Sequence, residues 1–184
     1  MTDGPASWNN TWAGDIQPAG PLPDDVAERM ASAEQALLKK LRSRSLSERE
    51  ARSFLREQLL PAEGAEALIQ AMCGRGYLDD ARMAEQLIHT ATTRKGLGRQ
   101  AIDQSLVQRG IAREVIEAAL ADLPDDDADR ALDFARTKAR AMADLDHDVA
   151  LRRLAGQLAR RGYGSAALQA ARQALDERAV APAE

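Results

Sequence analysis

Shifting the chain against itself by 51 or 52 residues brings one set of landmarks into register three times, and this repeat constrains the fold more than any other feature. Leu55 falls on Leu106 and then on Leu158, Ala51 falls on Ile102 and then on Leu154, and Met72 falls on Leu123 and then on Leu175. A shared offset across three copies requires one structural unit used three times. Within the second copy, Ala84, Leu87, Ile88 and Ala91 follow the i, i+3, i+4, i+7 spacing of a helix stripe. Gly96 and Gly98 interrupt it, Ile102 and Leu106 mark a second helix, Gly110 ends that helix, and Val115, Ile116, Ala119 and Leu120 mark a third. In the first copy, Ser47 and Glu50 have the spacing of a capping box that opens its second helix.

The material of the core agrees. Aromatic residues make up only 3% of the chain against 45% apolar residues overall, so the interior must be built from Leu, Ala, Ile, Val and Met, which suits close helix packing better than a pleated sheet. The expected fold is therefore all-α: three tandem three-helix repeats forming an elongated, curved helical stack. The expected divisions are an N-terminal tail over 1–29, repeats over 30–76, 77–123 and 124–178, and a C-terminal tail over 179–184. Four of the seven prolines and both tryptophans fall in the first 25 residues, without apolar periodicity, and that stretch reads as a disordered tail. Three short helices cannot cover both faces of one unit, so neighbouring copies are expected to stack.

Few residues converge for chemistry. His89 and His147 lie in different copies without partners at ligand spacing, and the single Cys73 excludes both an internal disulfide and the usual zinc site. Cys73 reads as a small buried thiol. Asp79, Asp80 and the run Asp125, Asp126, Asp127 read as helix N-terminal acids opening the second and third copies. Gly96 and Gly98 lack the preceding strand and third glycine of a dinucleotide loop. No catalytic, metal or cofactor residues are expected. The opening Met-Thr-Asp-Gly-Pro is neither basic nor apolar, and no run approaches the roughly 20 apolar residues of a membrane span, so a cytoplasmic, monomeric protein is expected.

Net charge is −4, with five acids and a single arginine in the first 30 residues and a near-neutral remainder, which argues against a phosphate-driven nucleic-acid binder. The basic residues separate by helix geometry. Arg109 and Arg161 occupy equivalent positions, each just before a glycine, Gly110 or Gly162, and lean toward the buried stripe; they read as structural, with stems on apolar surface and guanidinium groups at the last carbonyls of their helices. Arg153 and Arg160, seven residues apart, share an outward side of the third copy's second helix, and Arg152 emerges beside them. Arg94, Lys95 and Arg99 gather at the turn of the second copy. These six are the candidate partner-binding residues, with a solvated face making weak ion pairs as the open alternative.

The run Gly76-Tyr77-Leu78-Asp79-Asp80-Ala81-Arg82-Met83-Ala84, then Lys95-Gly96-Leu97-Gly98 with Ile102 and Leu106, then Arg109-Gly110-Ile111, resembles the RecX family of recombinase regulators. Leu154 to Leu158 followed by Arg160-Arg161-Gly162-Tyr163 resembles the closing motif of that family. Two departures stand out: Met83 where the family has an aromatic residue, and Leu59 in the first copy where a basic-glycine pair like Arg109-Gly110 is expected. The resemblance implies a protein that binds the RecA filament on single-stranded DNA along its groove. It also implies restraint of filament growth, strand exchange, ATP hydrolysis and support of LexA cleavage, and so a part in DNA repair, recombination and the SOS response. A module binding nucleic acid directly, or an adaptor for another protein, are the alternatives, and weak direct DNA contact is compatible with the first reading.

Overall fold

The computed structural model describes residues 23–180 and contains, among them, nine helices and no strand. The first copy comprises α1 (Pro23–Ser43), α2 (Glu48–Glu57) and α3 (Ala62–Gly74). The second comprises α4 (Asp80–Thr93), α5 (Arg99–Arg109) and α6 (Arg113–Ala121), and the third α7 (Asp127–Arg140), α8 (His147–Arg160) and α9 (Ala166–Val180). The repeat boundaries move outward from those expected, because α1 begins at Pro23 and α9 runs to Val180. A proline suits the first helical position, where its missing N–H has no partner to lose. Most of the expected N-terminal tail, with both tryptophans, and residues 181–184 lie outside the described residues.

Leu55, Leu106 and Leu158 are each fully buried at equivalent points of α2, α5 and α8, as the repeat requires. The third set of equivalents holds less well. Met72 and Leu175 are fully buried, whereas Leu123 lies beyond the end of α6 and is only partly covered, its place in the core being taken by Ile116 and Leu120. Each copy closes its own hydrophobic cluster: Leu37, Leu46, Leu55, Ile69 and Met72 in the first, Ile102, Leu106 and Ile116 in the second, and Leu154, Leu158 and Leu175 in the third. At roughly 1.5–3 kcal/mol for each large side chain removed from water, these clusters are the main source of stability. In the third copy, Ala131, Ala135 and Ala139 of α7 face Ala167, Ala170, Ala171 and Ala174 of α9, so small residues let the two helices approach closely.

Contrary to the expectation that such short helices must stack to cover their apolar faces, each copy closes its own apolar cluster and the copies do not share one continuous core. They meet through two polar junctions, and those junctions absorb most of the repeat's charged and glycine landmarks.

Candidate functional site

The first junction joins the start of α2 to the end of α5. Ser47 accepts from the Glu50 backbone N–H at 3.1 Å while Glu50 accepts from the Ser47 N–H at 3.0 Å, which is the capping box expected from their spacing. The same Ser47 hydroxyl, completely buried, donates to the Arg109 carbonyl at 2.6 Å. Arg109 reaches back into the first copy with Nε and a terminal nitrogen each 3.0 Å from a Glu50 oxygen, and that terminal nitrogen also lies 3.0 Å from the Ser45 carbonyl. Burial alone would raise the Glu50 carboxyl, but the Arg109 hydrogen bonds and the Ser47 N–H outweigh it and hold the group below its ordinary value. Asp80, at 9% exposure, stands in the first turn of α4 as expected, and its carboxylate also accepts from the Glu48 N–H at 3.0 Å and so caps α2 of the preceding copy. Burial pushes its carboxyl up, against the hydrogen bond from Glu48. The side-chain cap of α4 itself belongs to Asp79, which accepts from the Arg82 N–H at 2.9 Å.

The second junction repeats the plan with different chemistry. The Gly98 N–H donates to the Arg161 carbonyl at 2.8 Å and the Gln100 N–H to the Gly162 carbonyl at 3.2 Å, so the start of α5 meets the end of α8 backbone to backbone. A Cβ on Gly98 would lie 2.5 Å from the Gly162 oxygen, and one on Gly162 would collide with Ala101, which explains both glycines by close approach. Arg161 donates to the carbonyls of Lys95 and Gly96 and lies 4.2 Å over the Phe134 ring. Tyr163, buried, donates its hydroxyl to the Gly96 carbonyl at 3.0 Å, and its burial raises the phenol above its ordinary value. Asp127 accepts from the Arg99 N–H at 2.8 Å and thereby caps α5, as Asp80 caps α2. Asp126, the residue before α7, makes no side-chain cap, and Asp127 stands in the first turn of α7 while its carboxylate serves α5.

Second helices thus run head to tail, the positive N-terminus of each meeting the negative C-terminus of the next. Arg109 and Arg161 are structural, but they bind the turn of the preceding copy rather than the last carbonyls of their own helices. Arg99 departs further from its expected place in an exposed cluster. It is half-buried and donates to the Leu120 carbonyl at 2.7 Å and the Leu123 carbonyl at 2.9 Å, closing the C-terminal end of α6.

Of the six candidate partner-binding residues, the other five are exposed. Arg152 makes one contact, to the Asp148 carbonyl at 3.3 Å. The side chains of Arg153 and Arg160 form no hydrogen bond or ion pair with any described residue. Because Arg161 grips the Lys95 carbonyl, the second junction brings the Arg94 and Lys95 turn to the C-terminal end of α8, next to Arg160. Exposed cations thus gather around the end of α8. Cys73 is half-buried rather than buried, with its thiol raised by burial and by Glu48. Among the described residues no three His, Cys, Asp or Glu side chains gather as a metal site would need, and no helix is long and apolar enough to cross a membrane. A groove of about 580 Å³ between α4 and α6 has Ile88, Val115 and Ala119 in its lining and carboxylates of Glu85 and Glu114 beside them.

Comparison with known proteins places this architecture. The model of the RecX second three-helix domain matches residues 79–120, which is the second copy. The regulatory protein RecX of Streptomyces coelicolor is 32% identical over 160 residues, spanning 86% of this chain and 84% of that protein. The protein of the same name from Mycolicibacterium smegmatis is 32% identical over 151 residues, spanning 79% of this chain and 80% of the other. Among solved structures, RecX from Lactobacillus salivarius superposes with a TM-score of 0.73 at 18% identity, covering 82% of this chain and 99% of that one. A second solved structure, of a regulatory protein RecX, gives a TM-score of 0.66 at 23% identity over 80% of this chain and 73% of the other.

Proposed function

Because the chain belongs to the RecX family of regulatory proteins, we propose that it is a negative regulator of RecA that binds the RecA filament on single-stranded DNA in the cytoplasm, as a monomer. By binding across adjacent subunits it restrains filament growth, strand exchange, ATP hydrolysis and coprotease activity, without cofactor or covalent chemistry.

The observation that carries this reading is the match to curated relatives over most of both chains. A head-to-tail row of three units supports it physically, since repeated units present a long surface able to span more than one subunit of a helical partner. Exposed cations near the second junction give that surface a sign. The acidic balance of the whole chain weighs against binding driven mainly by nucleic-acid phosphates.

The test is addition of purified protein to RecA on single-stranded DNA. DNA-dependent ATP hydrolysis and strand exchange fall with increasing protein on this reading. Unchanged rates at several-fold excess over RecA would remove it.

A further inference from the structure

The outward side of α8 that carries Arg153 and Arg160 also carries Gly156 between them and Val149 one turn before Arg153, at the i, i+4, i+7, i+11 positions of one helix side. Val149 is 42% exposed. Glycine in the middle of a 14-residue helix weakens it relative to alanine, because the bare backbone has more freedom to lose on folding. Gly98, Gly110 and Gly162 have internal reasons, either a neighbour that a Cβ would strike or a left-handed backbone. Gly156 has neither: a Cβ there would meet only the tip of Arg160, at 3.5 Å. The protein's own packing does not require a glycine there, as it does not at Gly64 and Gly74 of α3; what sets Gly156 apart is its place between two arginines that pair with no described residue, where the bare backbone admits a close approach.

The repeat indicates what that surface is. By the core register of Ala51, Ile102 and Leu154, Arg153 corresponds to Glu50 and Ala101, the residues against which the following copy's Arg109 and Gly162 rest. Gly156 corresponds to Ser53 and Gln104, and Arg160 to Glu57 and Gln108, so this side changes from acidic to neutral to basic along the three copies. No fourth copy follows among the described residues. Instead α8 has 14 residues against 10 and 11 in α2 and α5, and its start is closed by Asp146, which accepts from the Asp148 and Val149 N–H groups at 2.9 and 3.4 Å. Where Glu50 attracts a guanidinium, Arg153 repels one and attracts a carboxylate. A second copy of this chain, offering the basic end of α5 or α8, is therefore disfavoured.

We propose that Val149, Arg153, Gly156 and Arg160 form a docking side for an acidic segment of a partner protein, whose backbone lies against Gly156 while its carboxylates meet the two arginines. Within the filament-binding reading, on which this rests, the segment belongs to a RecA subunit rather than to the DNA. An apolar Val149, the absence of an aromatic residue on this side for base stacking and the net charge of −4 favour protein over nucleic acid. Arginine suits the role because its planar fork matches a carboxylate at two points.

The experiment compares Gly156→Ala and the double reversal R153E/R160E with the unaltered protein, measuring affinity for RecA filaments, affinity for bare single-stranded DNA, and Tm. Gly156→Ala raises Tm by about 2 °C yet weakens filament binding about tenfold. The double reversal weakens filament binding further at unchanged Tm, and neither variant alters bare-strand binding. Gly156→Ala that is more stable and binds filaments as tightly as before overturns the proposal. So does a double reversal that weakens bare-strand and filament binding equally, which would assign the face to phosphates. If the unaltered protein fails to bind filaments, the filament reading falls by itself; a glutamate-rich peptide titrated against the full chain then tests the docking side, and chemical-shift changes away from residues 149–160 overturn it.

Discussion

Replacing Arg109 by alanine tests the first junction most sharply. The substitution removes two hydrogen bonds of 3.0 Å to Glu50 and one of 3.0 Å to the Ser45 carbonyl. Charged hydrogen bonds contribute about 1.5–3 kcal/mol when well shielded, but the two side chains here retain 29% and 25% of their exposure, so solvent screening reduces each. The expected loss is about 2 kcal/mol, or about 4–8 °C in Tm for a chain of this size. Arg109→Lys keeps the charge without the two-point fork and loses about 1 kcal/mol. A double-mutant cycle with Glu50→Ala gives a coupling of about 1 kcal/mol at neutral pH. Glu50 is held below its unfolded value of 4.5, so this contribution is present above pH 4.5 and is lost as pH falls through the lower folded value. Urea unfolding followed by circular dichroism at pH 7 and at pH 3 measures all of these. Arg109→Ala within 0.5 kcal/mol of the parent, with no coupling to Glu50, would refute the junction as a source of stability.

Three further substitutions have signs fixed by the geometry. Leu59 has φ 57°, the left-handed value that Gly110 and Gly162 adopt after the equivalent helices, and it is 81% exposed, so Leu59→Gly relieves backbone strain without uncovering a core and raises stability by about 0.5–1 kcal/mol in thermal unfolding. Gly98→Ala forces a Cβ against the Gly162 carbonyl, backbone on both sides, and costs about 2 kcal/mol or more, seen as faster amide exchange at the starts of α5 and α8. Asp80→Ala loses the cap on α2 and about 1 kcal/mol, whereas Asp80→Asn keeps an acceptor, removes a buried charge beside Glu48 and holds or gains stability at pH 7. Because the folded Asp80 carboxyl lies above its unfolded value of 3.8, its ionisation weakens the fold as pH rises through the folded value, and the Asn variant lacks that decline.

The sequence made some of this legible and hid the rest for definite reasons. Helix number and order followed from apolar spacing, and Ser47 and Glu50 could be paired because a capping box is local in the chain. Leu55, Leu106 and Leu158 could be equated because burial recurs at one point of each repeat. Long-range polar partners were not readable. Asp80 and Asp127 stand at helix starts and carry the right charge for them, yet each caps a helix 28 to 32 residues earlier, a choice made by how copies dock. Arg99 likewise looks like a surface cation at a turn until the fold places the end of α6 beside it. Leu59 was visible as a departure from the basic-glycine pattern, and the structure supplies its meaning: the first copy has no preceding described copy for such a pair to grip, so the position keeps the left-handed backbone and loses the residue type. Gly156 carried no sequence signal, because a lone glycine in a helical pattern acquires significance only when its surroundings are empty.

A row of helical units that recognises a filament of protein on DNA, rather than DNA itself, must distinguish coated from bare strands when the two affinities are measured side by side. Labelled single strands, bare and coated with RecA, are titrated with the protein at two salt concentrations. Tighter binding to the coated strand by at least about tenfold, with that preference reduced by R153E/R160E, is the predicted result. Equal or tighter binding to the bare strand, falling steeply with salt, would contradict the account.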